Sequence, residues 1–266
     1  MSDFDLQIVK NVGFVLALAL ALCLQWLRPH ASLAGSWRVN TTLWIVDAVL
    51  LGLVCGACAC VVAHWAETQG FGLLHLTAAP TFSKAPIWLA ISVSILGLDL
   101  VSYGWHRANH AVPLLWRFHQ VHHSDPEFTA TTGLRFHPGE LLLALPVRLV
   151  AVAALGLPVL GVIVFEIYFA FQNMFEHGNI DLPASLEKRF AWLFVTPALH
   201  RQHHSRRHAE LNSNYGTIFT FWDRGLGSFR DSSSRVSVPT GLPGAEAALG
   251  PASSLALPFR VSLRGE

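Results

Sequence analysis

The chain has 266 residues, a formal net charge of +1 and 13% charged against 52% hydrophobic residues, with a mean hydropathy of +0.43. Soluble domains carry roughly 25% charged residues, so this composition excludes an ordinary soluble globule. The near-zero net charge gives no sign of a nucleic-acid footprint.

In chain order, residues 6–27 are almost all Leu, Val and Ala, close to the ~20 residues that cross a bilayer. Arg28, Pro29 and His30 close this helix, and the acidic start (Asp3, Asp5) argues against a cleaved signal peptide. A second span is expected over 43–63, with Asp47 near its start. Cys55 and Cys58 stand there in a C-x-x-C spacing, but they and Cys23 and Cys60 lie in apolar runs rich in small residues. They are read as helix packing, with no disulfide and no iron–sulfur centre. Gly70, Gly72, Pro80 and Pro86 mark a loop, and a third span, 87–103, feeds into histidines. After Leu141 the chain is apolar to Phe175. Gly156 and Pro158 predict a turn, hence a membrane hairpin of helices 140–155 and 159–176. Residues 184–230 are polar and His-rich with Trp192, Phe194, Phe219, Phe221 and Trp222 as apolar anchors. The tail from Asp231 reads as loop, with Leu255, Leu257 and Phe259 able to dock on the body.

The fold expected is all-α: an integral membrane helical bundle of three spans plus the hairpin, with a cytosolic His-rich helical cap. Three spans put the N-terminus and the histidines on opposite faces, and the hairpin keeps every histidine segment together. Arg107, Arg117, Arg135, Lys188, Arg189, Arg201, Arg206 and Arg207 fall on the histidine face, which the positive-inside tendency makes cytoplasmic. Three segments follow: N-terminal transmembrane helices and loops (1–86), a catalytic domain (87–230) and a C-terminal tail (231–266).

Histidine is the outlier, with 14 copies. His119, His122 and His123 form H-x-x-H-H, as do His200, His203 and His204. His106 and His110 are four apart. At i, i+3 and i+4 side chains share a helix face, so each motif aims several imidazoles at one spot, and neutral imidazole is a common metal ligand. Asp99, Tyr103, His106 and His110 form one stripe. An intramembrane carboxylate is costly, so Asp99 either orients a ligand imidazole or makes a helix-packing hydrogen bond. Glu166, Ala170, Asn173 and His177 repeat the spacing, placing Glu166 and Asn173 under His177, while Glu176 points elsewhere. His137, in Arg-Phe-His-Pro-Gly-Glu, resembles the haem-ligand turn of cytochrome b5, but a turn wedged between membrane helices has no such domain around it. It is either a ligand or a group supporting one. His208 is assigned to the surface, and His30, His64 and His75 to interfacial positions. Nine candidates remain: His106, His110, His119, His122, His123, His177, His200, His203 and His204. One tetrahedral zinc needs four ligands, so nine imidazoles suit two metals, and non-haem iron leaves positions open for O₂.

The strings DLVSYGWHRANHAVPLLWRFHQVHHS, LRFHPGE, FEHGNI, TPALHRQHHSRRHAELNSNYG and WDRGLGSFR resemble, in order and spacing, the fatty acid hydroxylase/sterol desaturase superfamily, in its bacterial-type members. The resemblance implies two iron ions, with the eight histidines of H-x-x-x-H and the two H-x-x-H-H motifs as ligands and His177 as the intervening one. His137 matches a histidine common in sterol-type members. It implies an O₂-dependent di-iron oxidoreductase, a monooxygenase that hydroxylates or desaturates an unactivated C–H of a fatty acyl, sterol or isoprenoid lipid. Apolar span residues form the lipid channel, with Trp105, Trp116, Phe118, Phe169 and Phe175 at its mouth. With no Rossmann fingerprint, iron–sulfur set or b5 domain, electrons come from a separate ferredoxin, cytochrome b5 or reductase, for which Arg117, Arg201, Arg206 and Arg207 offer a basic face that equally suits phospholipid headgroups. NSNYG builds a turn beside the cluster or bonds its histidines, and Asp223 pairs with Arg224. A bacterial inner membrane is favoured over endoplasmic reticulum. The rival readings are a membrane metal transporter and a non-catalytic zinc-binding scaffold.

Overall fold

The computed structural model describes residues 3–32, 36–55, 58–76, 86–231, 238–243 and 249–260. Among them the regular structure is helical apart from isolated bridges. Helix α1 (Asp3–Leu27) runs parallel to α7 (Val159–Glu176), since Lys10 meets Glu166 and Pro29 bridges Ile180. Over and beyond the expected second span, the described residues form the helical segments α2 (Trp37–Cys55) and α3 (Cys58–Gln69). Residues 56–57, Pro80 and the Cys55 side chain lie outside the described set. Helix α2 starts early because its first turn is polar: Asn40 donates to Asp125 (2.8 Å) in the cap. Beyond α3, Gly72 passes so close to Gly156 that a Cβ on Gly72 would come within 2.4 Å of the Gly156 nitrogen. The two helices together therefore carry the chain from the histidine side to the hairpin turn.

Helix α4 (Ile87–Ala111) extends beyond the expected 103 to include His106 and His110. It stops because Val112 precedes Pro113 and is pushed to extended backbone (φ −91°, ψ 119°). Pro113 then opens α5 (Pro113–His123). This break folds α5 back, so that His106 and His110 each lie 5.0 Å, ring to ring, from His119. A 3-10 turn (Ala130–Leu134) leads to α6 (Pro138–Leu155), and Gly156 (φ +70°) ends α6 in the left-handed region that favours glycine. The hairpin of α6 and α7 is as expected. Short helices α8 (Ala184–Phe190), α9 (Pro197–His203), α10 (His208–Leu211) and α11 (Phe221–Leu226) complete the cap. The tail is more than loop: α12 (Pro251–Arg260) packs on α5 and α2 and buries Leu257, while Phe259 stays 72% exposed. Among the described residues four helices are long and apolar enough to cross a membrane: Gln7–Leu27, α4, α6 and α7.

Two buried groups lock the cap to the bundle. Arg135, expected on the basic face, is 0% exposed. It donates to Asn40 Oδ1 (2.9 Å), Ser124 Oγ (2.9 Å), Ser254 Oγ (3.1 Å) and the Val121 carbonyl (2.9 Å), tying α2, α5 and α12 together. Asp125 accepts from Asn40, Thr132 and Ser36. Replacing Arg135 with Ala strands these acceptors. A loss on the order of 3 kcal/mol, read as a lower Tm in detergent, is expected, and an unchanged Tm would show that the cap does not depend on this lock.

Candidate metal centre

The nine imidazoles proposed from sequence converge as two groups. His106, His110, His119, His123 and His203 form one, and His122, His177, His200 and His204 the other; within each group one ring nitrogen per residue lies within 4.8 Å of the rest. Helix α4 supplies His106 and His110, α5 the first H-x-x-H-H, the end of α7 His177, and α9 the second H-x-x-H-H. The short α9 is placed by Thr196, which caps it by accepting from the Leu199 amide (3.3 Å).

The outer nitrogens are held by oxygen. His106 Nδ1 donates to the Tyr215 carbonyl (2.8 Å), His203 Nδ1 to the Ser213 carbonyl (2.7 Å) and His119 Nδ1 to Glu140 Oε1 (2.8 Å). A neutral imidazole has one donor, so each of these rings is left with an Nε2 lone pair, and all three Nε2 atoms are buried without a hydrogen-bond partner among the described residues. In the second group His122 Nδ1 donates to the Arg135 carbonyl (3.2 Å) and His177 Nδ1 to the Asn173 carbonyl (2.6 Å). Their Nε2 atoms then face each other at 2.9 Å, with His200 Nε2 at 2.9 Å and His204 Nε2 at 3.2 Å from His177. Lone pairs that close repel unless a cation stands between them. Protons are poor candidates, because burial pushes His177 and His203 down to about 3 and holds His122, His123, His200 and His204 well below the usual range. The donor set therefore fits metal ions, with oxygen partners behind the rings as metal-binding histidines have.

Both groups open onto one partly open cavity of about 100 Å³. His106, His119, His122, His177 and His200 line it together with the apolar Val101, Trp105, Phe136, Ala144, Val147 and Phe169. Of the aromatics expected at a lipid mouth, Trp105 and Phe169 are there. Trp116 instead packs on His110 and His123, Phe118 on His137, and Phe175 on Phe171.

Several sequence expectations need correction. His137 belongs to neither group. Its Nδ1 caps α6 by accepting from the Gly139 amide (2.9 Å) and its Nε2 bonds the Leu255 carbonyl (3.2 Å), so neither nitrogen is free for a metal. Asp99 orients no imidazole, being two helical turns, about 10 Å, from His106. It accepts from the amides of Ile218 and Phe219 (3.1 and 3.2 Å) and from Trp222 Nε1 (2.9 Å), pinning to α4 the segment whose carbonyls hold His106 and His203. Glu166 is too far from His177, about 16 Å along the helix, and pairs with Lys10 at 2.5 Å. Asn173 supports His177 through its backbone carbonyl, while its side chain donates to Gly133. Asp223 does not pair with Arg224. It accepts from the amides of Tyr215 and Gly216, and Arg224 donates to the Ala191 carbonyl. Of the four arginines on the basic face, Arg201 lies over Phe128, Arg206 donates to Thr240 and Arg207 pairs with Glu210. His208 is exposed, as expected.

Two carboxylates were missed. Glu140, 4% exposed, holds His119 and lines the cavity. Glu176, 1% exposed, lies 3.7 Å from His200 Nε2 and lines it too. Their signal was legible: Phe169, Asn173 and Glu176 form a 4–3 stripe, and Glu140, Ala144 and Val147 another.

Glu140→Ala removes the oxygen behind His119. Metal affinity, measured by competition with a chelator, should fall about 10–100-fold; unchanged affinity would remove Glu140 from the centre. A second outcome concerns acid. The cap imidazoles titrate well below 6.5 when folded and near 6.5 when unfolded. Between those values the unfolded chain binds more protons, so stability rises with pH there. The metal-free protein should lose Tm as pH drops through 6.5 towards 3. A flat Tm from pH 8 to 5 would argue against neutral rings.

A family model described as fatty acid hydroxylase matches residues 91–228, more than half of the chain and all nine clustered histidines. Ornithine lipid hydroxylase OlsE of Rhizobium tropici is 34% identical over 171 residues, 62% of this chain and 50% of that protein. Cholesterol 25-hydroxylase of Rattus norvegicus is 29% identical over 170 residues (63% and 54%), and alkylglycerol monooxygenase of Danio rerio 28% over 172 residues (61% and 34%). The matches thus span about half or less of these relatives' lengths, and no solved structure matches. With the motifs, their order and the match all lying on the histidine cap and the helices beneath it, the chain belongs to the fatty acid hydroxylase family.

Proposed function

We propose that this protein is an O₂-dependent lipid hydroxylase with two iron ions, one held by His106, His110, His119, His123 and His203 and the other by His122, His177, His200 and His204. The observation that carries the reading is one cavity lined both by histidines of both groups and by apolar residues of three membrane-length helices. The relatives' names supply the reaction class: they act on ornithine lipid, cholesterol and alkylglycerol, as hydroxylases or monooxygenases. Bound iron would supply O₂ activation and the redox equivalents, which zinc cannot.

The chain's own residues do the rest. Val101, Trp105, Val147 and Phe169 hold a lipid chain and exclude water from the histidine end. Glu140 Oε2 and Glu176 Oε2 are buried carboxylate oxygens without a hydrogen-bond partner among the described residues, placed to take up or hand over a proton beside the rings. Electrons come from a separate ferredoxin, cytochrome b5 or reductase. The cap faces the cytoplasm of a bacterial inner membrane, and residues 87–230 act as the catalytic unit between the N-terminal helices (1–86) and the tail (231–266).

The transporter reading expects ionisable groups along the spans. Those between α1, α6 and α7 include Lys10, Arg148 and Glu166; with Glu166 paired to Lys10, the remaining charge is the Arg148 cation, which opposes the passage of a metal ion. Expression with labelled iron tests the proposal. Roughly two irons per chain, a coupled di-ferric Mössbauer signal and lipid-dependent O₂ uptake, all lost in His122→Ala, are expected. Zinc alone, with no O₂ uptake after iron and a donor are supplied, would leave the zinc scaffold.

A further inference from the structure

The apolar cavity has a charged far end. Helix α6 lines it with Glu140, Ala144, Val147 and Arg148. Eight residues at 1.5 Å each put Arg148 about 12 Å along the axis from Glu140, towards the opposite face of the bundle. Arg148 and Phe169 also line a second, open cavity of about 520 Å³, so the two cavities meet at these side chains. This second cavity is polar on one side, where Gln7, Lys10, Asn11 and Glu166 line it.

Among the described residues Arg148 makes no hydrogen bond and no ion pair. Its guanidinium carbon lies over the rings of Phe165 (5.6 Å) and Phe169 (5.2 Å), which favours the cation but satisfies none of its five N–H donors. Glu166 is engaged by Lys10 at 2.5 Å. The junction thus holds two cations and one carboxylate, an excess of one positive charge. A guanidinium inside a membrane-length helix is costly, and such residues face a cavity or a partner. The planar donor fork matches a carboxylate or a phosphate.

We infer that Arg148 anchors an oxyanion of the lipid, so that the substrate is an anionic amphiphile. Its headgroup occupies the polar cavity beside Lys10, and its carbon chain passes Phe169 to reach the histidines on the order of 12 Å away. This deepens the hydroxylase reading and rests on the cavity being its lipid site. Arg148 is a specificity-determining residue that selects by charge. Carboxylate and phosphate present the same chemistry to it.

The test is binding, without metal or turnover. A spin-labelled dodecanoate bound to the full chain in phosphatidylcholine nanodiscs is displaced by dodecanoate, dodecyl phosphate or dodecanol. Both anions should compete at least about tenfold better than dodecanol, and the better of the two identifies the headgroup. Arg148→Gln should bring all three to within about threefold, and Arg148→Lys should keep part of the preference. A wild type that takes dodecanol as well as the anions overturns the inference, and so does Arg148→Gln with the preference intact. If the variants fail to fold, a dodecanoate carrying a diazirine at carbon 2 decides on the wild type. Crosslinks at Arg148, Phe169 or Lys10 support the anchor, and crosslinks only elsewhere overturn it. A chain that binds the anions selectively yet oxidises no lipid when loaded with iron would refute the hydroxylase and leave the anchor standing.

Discussion

His177 Nε2 has three other imidazole nitrogens within 3.2 Å, on His122, His200 and His204. In water such an arrangement would relax by protonation or by moving apart. Here neither route is open, because burial keeps the cap rings neutral and hydrogen bonds on the far nitrogens fix two of them in place. The rest of the structure depends on enforcing this crowding. A fold that holds lone pairs against each other is organised for a cation, and the free energy it spends on positioning is returned when the metal binds.

The enforcement is built from buried carboxylates and backbone amides more than from apolar packing. Asp99 draws the segment 218–222 onto α4, and Asp223 draws in Tyr215 and Gly216. Between them these two carboxylates set the carbonyls of Ser213 and Tyr215 behind His203 and His106. Asp125 and Arg135 do the same for the α5 side, where the Arg135 carbonyl holds His122. Each such acid satisfies two or more donors at once, which offsets the cost of its own burial. An acid serving backbone several residues from a histidine shapes the centre as firmly as one touching the ring.

Below the centre the spans combine apolar walls with a charged junction. The ion pair between Lys10 and Glu166 joins α1 to α7, and Arg148 stands over two phenylalanine rings between two cavities. A purely apolar tunnel would grip any lipid chain without regard to its ends. Under the proposed anchor, a cation where the two cavities meet would distinguish one end of a lipid from the other.

The sequence by itself determined the nine imidazoles, the hairpin turning at Gly156 and Pro158, and the all-helical membrane architecture, because helix periodicity, turn chemistry and span length are local properties of the chain. The Val112–Pro113 break was equally local and was legible in the dipeptide. Tertiary structure decided the partners. Asp99 and Glu166 share helix stripes with histidines but stand two and three turns away from them, and groups that distant are claimed by whatever a neighbouring helix or loop brings near: backbone amides and Trp222 for one, Lys10 for the other. His137, in a motif with the right residues, spends both nitrogens on a helix cap and the tail. Glu140 and Glu176 join the centre because α6 and α7 rotate those faces towards the cavity. Periodicity shows which residues share a face; only packing shows what that face meets.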